Sequence, residues 1–293
     1  MRATLIVNPS SGRGAAARVA GSVASTLRRS IPELIAEVTA GPGATSRLAA
    51  HAAAQGDDLL IILGGDGTAH LAAQAVAGTA TALALVPSGS GNDLATALGV
   101  PIDPVAAAEH IARALHCGRR RRIDVGRVAG GACFTTVLCT GFDAAVNARA
   151  NAMRWPAGPR RYELAVLAEL TALTPRPVRV QVGEQAVEQE ATLVAVGNGP
   201  CYGGGLRICP DARQADGLLD VITIGAVSRR RLLRVFPSLR AGAHVREPEV
   251  TVLRGETVRI DGDPRWLVYA DGEPQGTLPV TVHCEPNALT VVA

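Results

Sequence analysis

Three times within its first 93 residues the chain runs through a short aliphatic stretch and then stops on glycine and small polar residues: "TLIVNPSSGRG" (4–14), "LLIILGGDGT" (59–68) and "LALVPSGSGND" (83–93). An unbroken apolar run of this length reads as a strand buried on both faces. Alanine-rich segments with apolar residues at helical spacing lie between such runs, at 15–30, 44–56, 68–78 and 104–118, and "ELIAEVT" (33–39) adds a further strand. Short buried strands alternating with helices predict a parallel sheet with helices on its faces.

The glycines decide what the ends of these strands can do. Lacking a Cβ, they accept positive φ and let backbone N–H groups approach an anion, while the helix that follows aims its positive dipole end at the same point. One such turn is an ordinary tight connection. Three at neighbouring strand ends, where open parallel sheets bind ligands, point to phosphate. The GxxxxGK[ST] phosphate loop is excluded because the chain contains no lysine. Asp66 stands between Gly65 and Gly67. A carboxylate facing a polyphosphate is repelled unless a divalent cation lies between them, so magnesium is expected.

Beyond residue 122 the period changes. Segments such as "RIDVGRVAG", "ATLVAVGNG", "GLLDVITIG", "RWLVYADGE" and "LPVTVHCEP" read as strands separated by turn residues, with one helical interruption at 160–173. A second, mostly antiparallel β domain is expected, and 293 residues exceed what one core usually organises. The formal charge of +3 is too small for wholesale nucleic-acid binding. Two arginine clusters, "RRRR" (119–122) and "SRRRLLR" (228–234), are either solvated faces or patches attracted to anionic headgroups. The six cysteines lie far apart without a CxxC pair, so buried free thiols are expected. No apolar stretch approaches the ~18 residues a membrane span needs, and a cytoplasmic location is the expectation.

Taken in order, "NPSSGRG", "GGDGT", "PSGSGNDLA", "GFDAAV" (141–146), "GNGPCYGGGLRICPDARQADGLLDV" (197–221) and "YADGEP" (269–274) resemble the diacylglycerol kinase catalytic-domain family, shared by bacterial lipid kinases and sphingosine and ceramide kinases. The likeness covers nearly the full length. It implies an α/β nucleotide-binding domain of the NAD kinase and phosphofructokinase type over residues 1–122 and an all-β sandwich over 123–285 carrying substrate and metal residues. The tail, about 286–293, is expected to return to the first domain, with ATP in a cleft between the two. By position the resemblance implies ATP contacts at Asn8, Ser10, Ser11, Gly12, Arg13, Gly14, Thr39, Gly64, Gly65, Asp66, Gly67, Thr68, Ser88, Gly89, Ser90 and Asn92, with the second turn running on through Leu71. It implies Mg2+ held by the Asp216 side chain and the carbonyls of Arg213 and Leu218, Glu273 as general base, and Asp66 organising the metal.

Plainer readings stand beside these. Asp216 and Gly217 also suit a turn, "ADGEPQG" a hairpin, and Asn92 with Asp93 a helix cap. The family commonly continues "GGDGT" with an aliphatic residue, Asn and Glu, where this chain has Ala69, His70 and Leu71. His70 either replaces one of those polar contacts or is simply a polar residue of the first helical turn. The implied activity is ATP-dependent phosphorylation of a diacylglycerol-like lipid alcohol. The alternatives are an NAD kinase-like or other small-molecule kinase, and an inactive lipid- or nucleotide-binding module. Expected partners are ATP, the lipid, an anionic membrane surface met peripherally at its inner face, and a second copy in a homodimer, without nucleic acid.

Overall fold

The computed structural model describes residues 1–153, 155 and 159–293. They fall into two units, residues 1–125 with 286–293, and residues 126–285. In the first unit the order is β1 (Arg2–Val7), α1 (Ser11–Arg28), β2 (Glu33–Val38), α2 (Ala44–Ala54), β3 (Leu59–Gly64), α3 (Asp66–Val76), β4 (Ala82–Pro87), α4 (Asp93–Ala97) and α5 (Pro104–His116). The strands pair in parallel as β2-β1-β3-β4. Every residue of β3 and β4 is buried, which is why their sequences show no alternation. Strand β2 is the edge and leaves Ile35 and Val38 exposed. Helix α1 packs on α5, and α2 on α3. The regular part of α1 begins only after Gly12, Arg13 and Gly14, whose φ values are 59, 56 and 85°.

The second unit follows through β5 (Arg121–Val128), which straddles the boundary, β6 (Cys133–Phe134), β7 (Val137–Gly141), α6 (Phe142–Ala152), α7 (Pro159–Thr171), β8 (Arg176–Val182), β9 (Gln185–Gly197), β10 (Leu219–Gly225), α8 (Arg229–Val235), two 3-10 segments (Phe236–Ala241 and Ala243–Arg246), β11 (Val250–Gly255), β12 (Thr257–Gly262), β13 (Leu267–Ala270), β14 (Glu273–Thr277) and β15 (Val280–Val291). Strand β9 is the spine. Its first half pairs with β8 and its second half with β7 and β10, all antiparallel, so one strand serves both layers of a sandwich. Alternate residues of its second half face opposite ways: Val194 and Val196 enter the sandwich core with Val180, Val258 and Ile260, whereas Leu193 and Ala195 meet a helical layer.

That layer is larger than the sequence suggested. One helix was expected after residue 122, at 160–173; α6, α8 and the 3-10 segments join it. Helix α6 starts without a polar break, at Gly141 with φ 83°, and α8 is seven residues whose arginines mask any apolar period. Cysteines 133, 139 and 209 are buried as expected, but Cys117 is exposed at the end of α5.

Strand β15 carries the chain back to the first unit, where Val291 pairs in parallel with Leu83 of β4. Leu289, Val291 and Val292 are buried there, the Val292 amide donates to the Leu83 carbonyl, and the Asn287 amide donates to Asp124. Burying a large aliphatic side chain contributes roughly 1.5–3 kcal/mol. Deleting residues 286–293 is therefore expected to remove most of the stability of the first unit, lowering its thermal midpoint sharply or abolishing cooperative unfolding in calorimetry.

Candidate active site

The three glycine turns lie at the carboxyl ends of β1, β3 and β4, which are neighbours in the sheet, and they touch. A Cβ on Gly12 would sit 2.4 Å from the Ser88 carbonyl oxygen, and one on Gly89 would sit 2.7 Å from the Gly65 Cα. Only bare backbone lets the loops approach so closely. Side chains then tie them: Asn8 donates to the Thr68 hydroxyl at 3.0 Å, and the Gly65 amide donates to the Ser11 hydroxyl at 3.1 Å. Three successive residues, 12–14, take left-handed φ beside this cluster. The Ser88 hydroxyl is buried beside Gly12 with no hydrogen-bond partner, an orphan that a phosphate oxygen would satisfy. The cluster fits a polyphosphate: close-set amides, a helix N-terminus and an unused hydroxyl.

Asp66 has a task that its local sequence does not signal. Its two carboxylate oxygens accept the backbone amides of Asn92 and Asp93, each at 2.7 Å, and so bind the second turn to the third. A carboxylate is needed because an amide side chain offers one acceptor oxygen for two donors. A cation is thus not required to explain this residue. Asn92 does not cap α4 with its side chain either. It adopts φ 59° and closes the third turn on itself, accepting from the Gly89 amide and donating to the Gly89 carbonyl. The cap of α4 comes from Asp66.

The remaining expected contacts distribute plainly. Ser10, Gly12, Arg13 and Ser90 are exposed at the loop tips, Gly14 and Gly67 are half-buried, and Gly64 is buried as the last residue of β3. Thr39 is half-buried just past β2, its amide on the Val7 carbonyl. His70 is buried within α3 near Gln74 and so is directed into the fold, while Leu71 is half-buried.

In the second unit Glu273 opens β14 and is exposed at a hairpin whose turn residues, Asp271 and Gly272, have φ 50 and 83°. What fixes this hairpin is Asp271, which the sequence reading treated only as turn chemistry. Its carboxylate accepts four hydrogen bonds, from the amides and hydroxyls of Thr135 and Thr136, at 2.6–3.1 Å. The same two threonines use their carbonyls to hold other motif segments. Thr135 accepts from Asn198 and Gln214, and Thr136 accepts from the amides of Asn198 and Gly199. The "TT" pair between β6 and β7 is therefore a hub for "GNG", "RQADG" and "DGE", with no signal in the local sequence beyond two adjacent hydroxyls.

Asp216 lies on the loop before β10. One oxygen accepts the Leu218 amide and the other is held by the Arg254 guanidinium, which also faces Asp220 at 3.3 Å. Burial raises the Asp220 carboxyl above the usual range, Arg254 lowers it and Asp216 raises it. As arranged, the Asp216 carboxylate is occupied by a guanidinium, and a divalent ion bound there would have to displace Arg254. Asp143 of "GFDAAV" takes a hydrogen bond from the Tyr202 hydroxyl, and its carboxyl is pushed up to about 6 by burial, against the lowering effect of that bond.

Residues 2–128 match the diacylglycerol kinase catalytic domain, and residues 136–293 match the YegS C-terminal NAD kinase beta sandwich-like domain. A diacylglycerol kinase of Mycobacterium tuberculosis is 41% identical over 299 residues, spanning 99% of this chain and 94% of that one. The chain belongs to the diacylglycerol kinase family. A diacylglycerol kinase of Bacillus subtilis is 26% identical over 288 residues, 95% of this chain and 91% of its own length. The crystal structure of a diacylglycerol kinase from Bacillus anthracis shares the fold with a TM-score of 0.77 at 22% identity, over 99% of this chain and 96% of that chain. Membership of the diacylglycerol kinase family implies a lipid kinase with ATP as phosphoryl donor.

Two substitutions test the cluster. Asp66→Asn leaves one of two loop amides without an acceptor and is expected to cost about 1–3 kcal/mol in urea unfolding. Gly12→Ala combines a left-handed conformation, about 1–2 kcal/mol for a residue with a Cβ, with the overlap on Ser88. Both are expected to weaken ATP binding in titration calorimetry.

Proposed function

We propose that the chain is an ATP-dependent kinase that phosphorylates the free hydroxyl of a diacylglycerol-like lipid, working in the cytoplasm against the inner face of a membrane. The observation that carries the nucleotide half is the contact of three amide-rich turns around an unpartnered Ser88 hydroxyl. Phosphoryl transfer asks the protein to hold the triphosphate, align the acceptor and accept one proton. Residues 10–14, 64–68 and 88–92 would cradle the phosphates through backbone N–H groups and the hydroxyls of Ser10, Ser11, Thr68, Ser88 and Ser90. Magnesium would enter bound to ATP and offset the charge on the transferring group. Asp66 would act at one remove by keeping the second and third turns in register.

Glu273 is the general base of this reading. Its carboxylate would take the proton of the lipid hydroxyl as the oxygen attacks the γ-phosphorus, and the bond from that phosphorus to the bridging oxygen would break to leave ADP. Asp271 would be a positioning residue: its four bonds to Thr135 and Thr136 restrict where the hairpin presents Glu273.

The expected result for Glu273→Gln is a turnover loss of ~10²–10⁴-fold with ATP binding intact. Asp271→Ala should lower kcat by up to about 10²-fold through misplacement, again without changing ATP affinity. Thr136→Ser, which keeps the hydroxyl, should stay near the parental rate, whereas Thr136→Val should not. The assay is labelled ATP with mixed micelles of diacylglycerol, run beside NAD and sugars as competing acceptors. Parental turnover in Glu273→Gln would remove the base from this scheme, and label passing to NAD or a sugar in place of lipid would reject the acceptor.

A further inference from the structure

The helical layer of the second unit has an outer face that neither the sandwich nor the hairpin uses. From Ser228 to Arg246 the chain carries six arginines and no carboxylate. Arg231 is neutralised by Glu247 and Glu249. Arg229, Arg230, Arg234, Arg240 and Arg246 are exposed and meet no carboxylate among the described residues. Leu233 lies among them with 52% of its surface exposed. Helix α7 contributes the apolar part: Tyr162, Leu164 and Leu167 are 40, 43 and 56% exposed, and Trp155 just before the helix is 81% exposed. Helices α7 and α8 bury Ala165, Leu170 and Leu232 in one cluster, on the side of the sheet to which Leu193 and Ile222 point. Their outer residues therefore look away from the same sheet.

A solvated charged run would not need a large apolar side chain such as Leu233 held in water within it, nor more of them on the same helical layer. Exposed leucines with a tryptophan and a tyrosine, carried on the same helical layer as unneutralised arginines, match an interface that is apolar below and anionic at its surface. We propose that the outer face of α7 and α8 docks on a lipid bilayer through anionic headgroups, with Trp155, Leu164, Leu167 and Leu233 entering the headgroup layer. The proposal rests on the lipid-kinase reading for its biological purpose, but its test needs no ATP.

The whole chain is sedimented with vesicles of phosphatidylcholine alone and of phosphatidylcholine with phosphatidylglycerol. Binding is expected only to the anionic vesicles, with a blue shift of tryptophan emission. It should weaken about a hundredfold in the triple variant Arg229→Gln, Arg230→Gln, Arg234→Gln, and fall as salt is raised. Leu164→Ser with Leu167→Ser should weaken binding while keeping the salt dependence. Thermal unfolding at the parental midpoint identifies folded variants, and phosphorylation of a soluble short-chain diacylglycerol should be unchanged in them. Equal binding to neutral vesicles, indifference to the arginine changes, or preferential capture by duplex DNA would overturn the proposal. Vesicle binding by a chain that phosphorylates no lipid would leave the docking face standing and reject the kinase reading.

Discussion

Two hydrogen bonds from the amides of Asn92 and Asp93 to the carboxylate of Asp66 are the constraint on which the cluster of glycine turns in the first unit depends. Strand order alone brings the ends of β3 and β4 side by side, but a loop of glycines has many conformations and loses much entropy when fixed. A charged acceptor shared between two amides fixes both loops with one side chain, at a position where the N-terminal ends of two helices also favour negative charge. With the loops pinned, the missing Cβ atoms of Gly12, Gly65 and Gly89 become the space in which backbone meets backbone.

The second unit solves a similar problem by a similar device. Asp271 sits in a left-handed turn, which a residue with a side chain tolerates poorly, and four bonds from Thr135 and Thr136 over-determine that conformation. In each unit an aspartate inside a glycine-containing motif serves as an acceptor for backbone amides. The aspartates of "GGDG" and "ADGE" are in this respect architectural, whereas Glu273 is exposed.

Much of the fold was legible because it depends on patterns that the sequence states directly. The uninterrupted runs of β3 and β4 could not be half-exposed strands, and they are buried throughout. The parallel α/β arrangement and the following sandwich follow from the change of period near residue 122. Helices α6 and α8 carry no helical signal in the sequence, because one begins in mid-motif and the other is too short and too rich in arginine to show an apolar period. Of the candidate site, the meeting of the three turns was legible from their glycines. The partners of Asp66 and Asp271 were not, since they lie 26 and more than 130 residues away in the chain. The Arg254 guanidinium at Asp216 was likewise beyond reach, 38 residues distant on β11.

Amide hydrogen exchange with and without MgATP is the most direct measure of whether the three turns form one nucleotide site. Protection is predicted to appear together over residues 10–14, 64–68 and 88–93, with a single midpoint as the nucleotide is raised. Protection confined to one turn, or separate midpoints for different turns, would contradict the account.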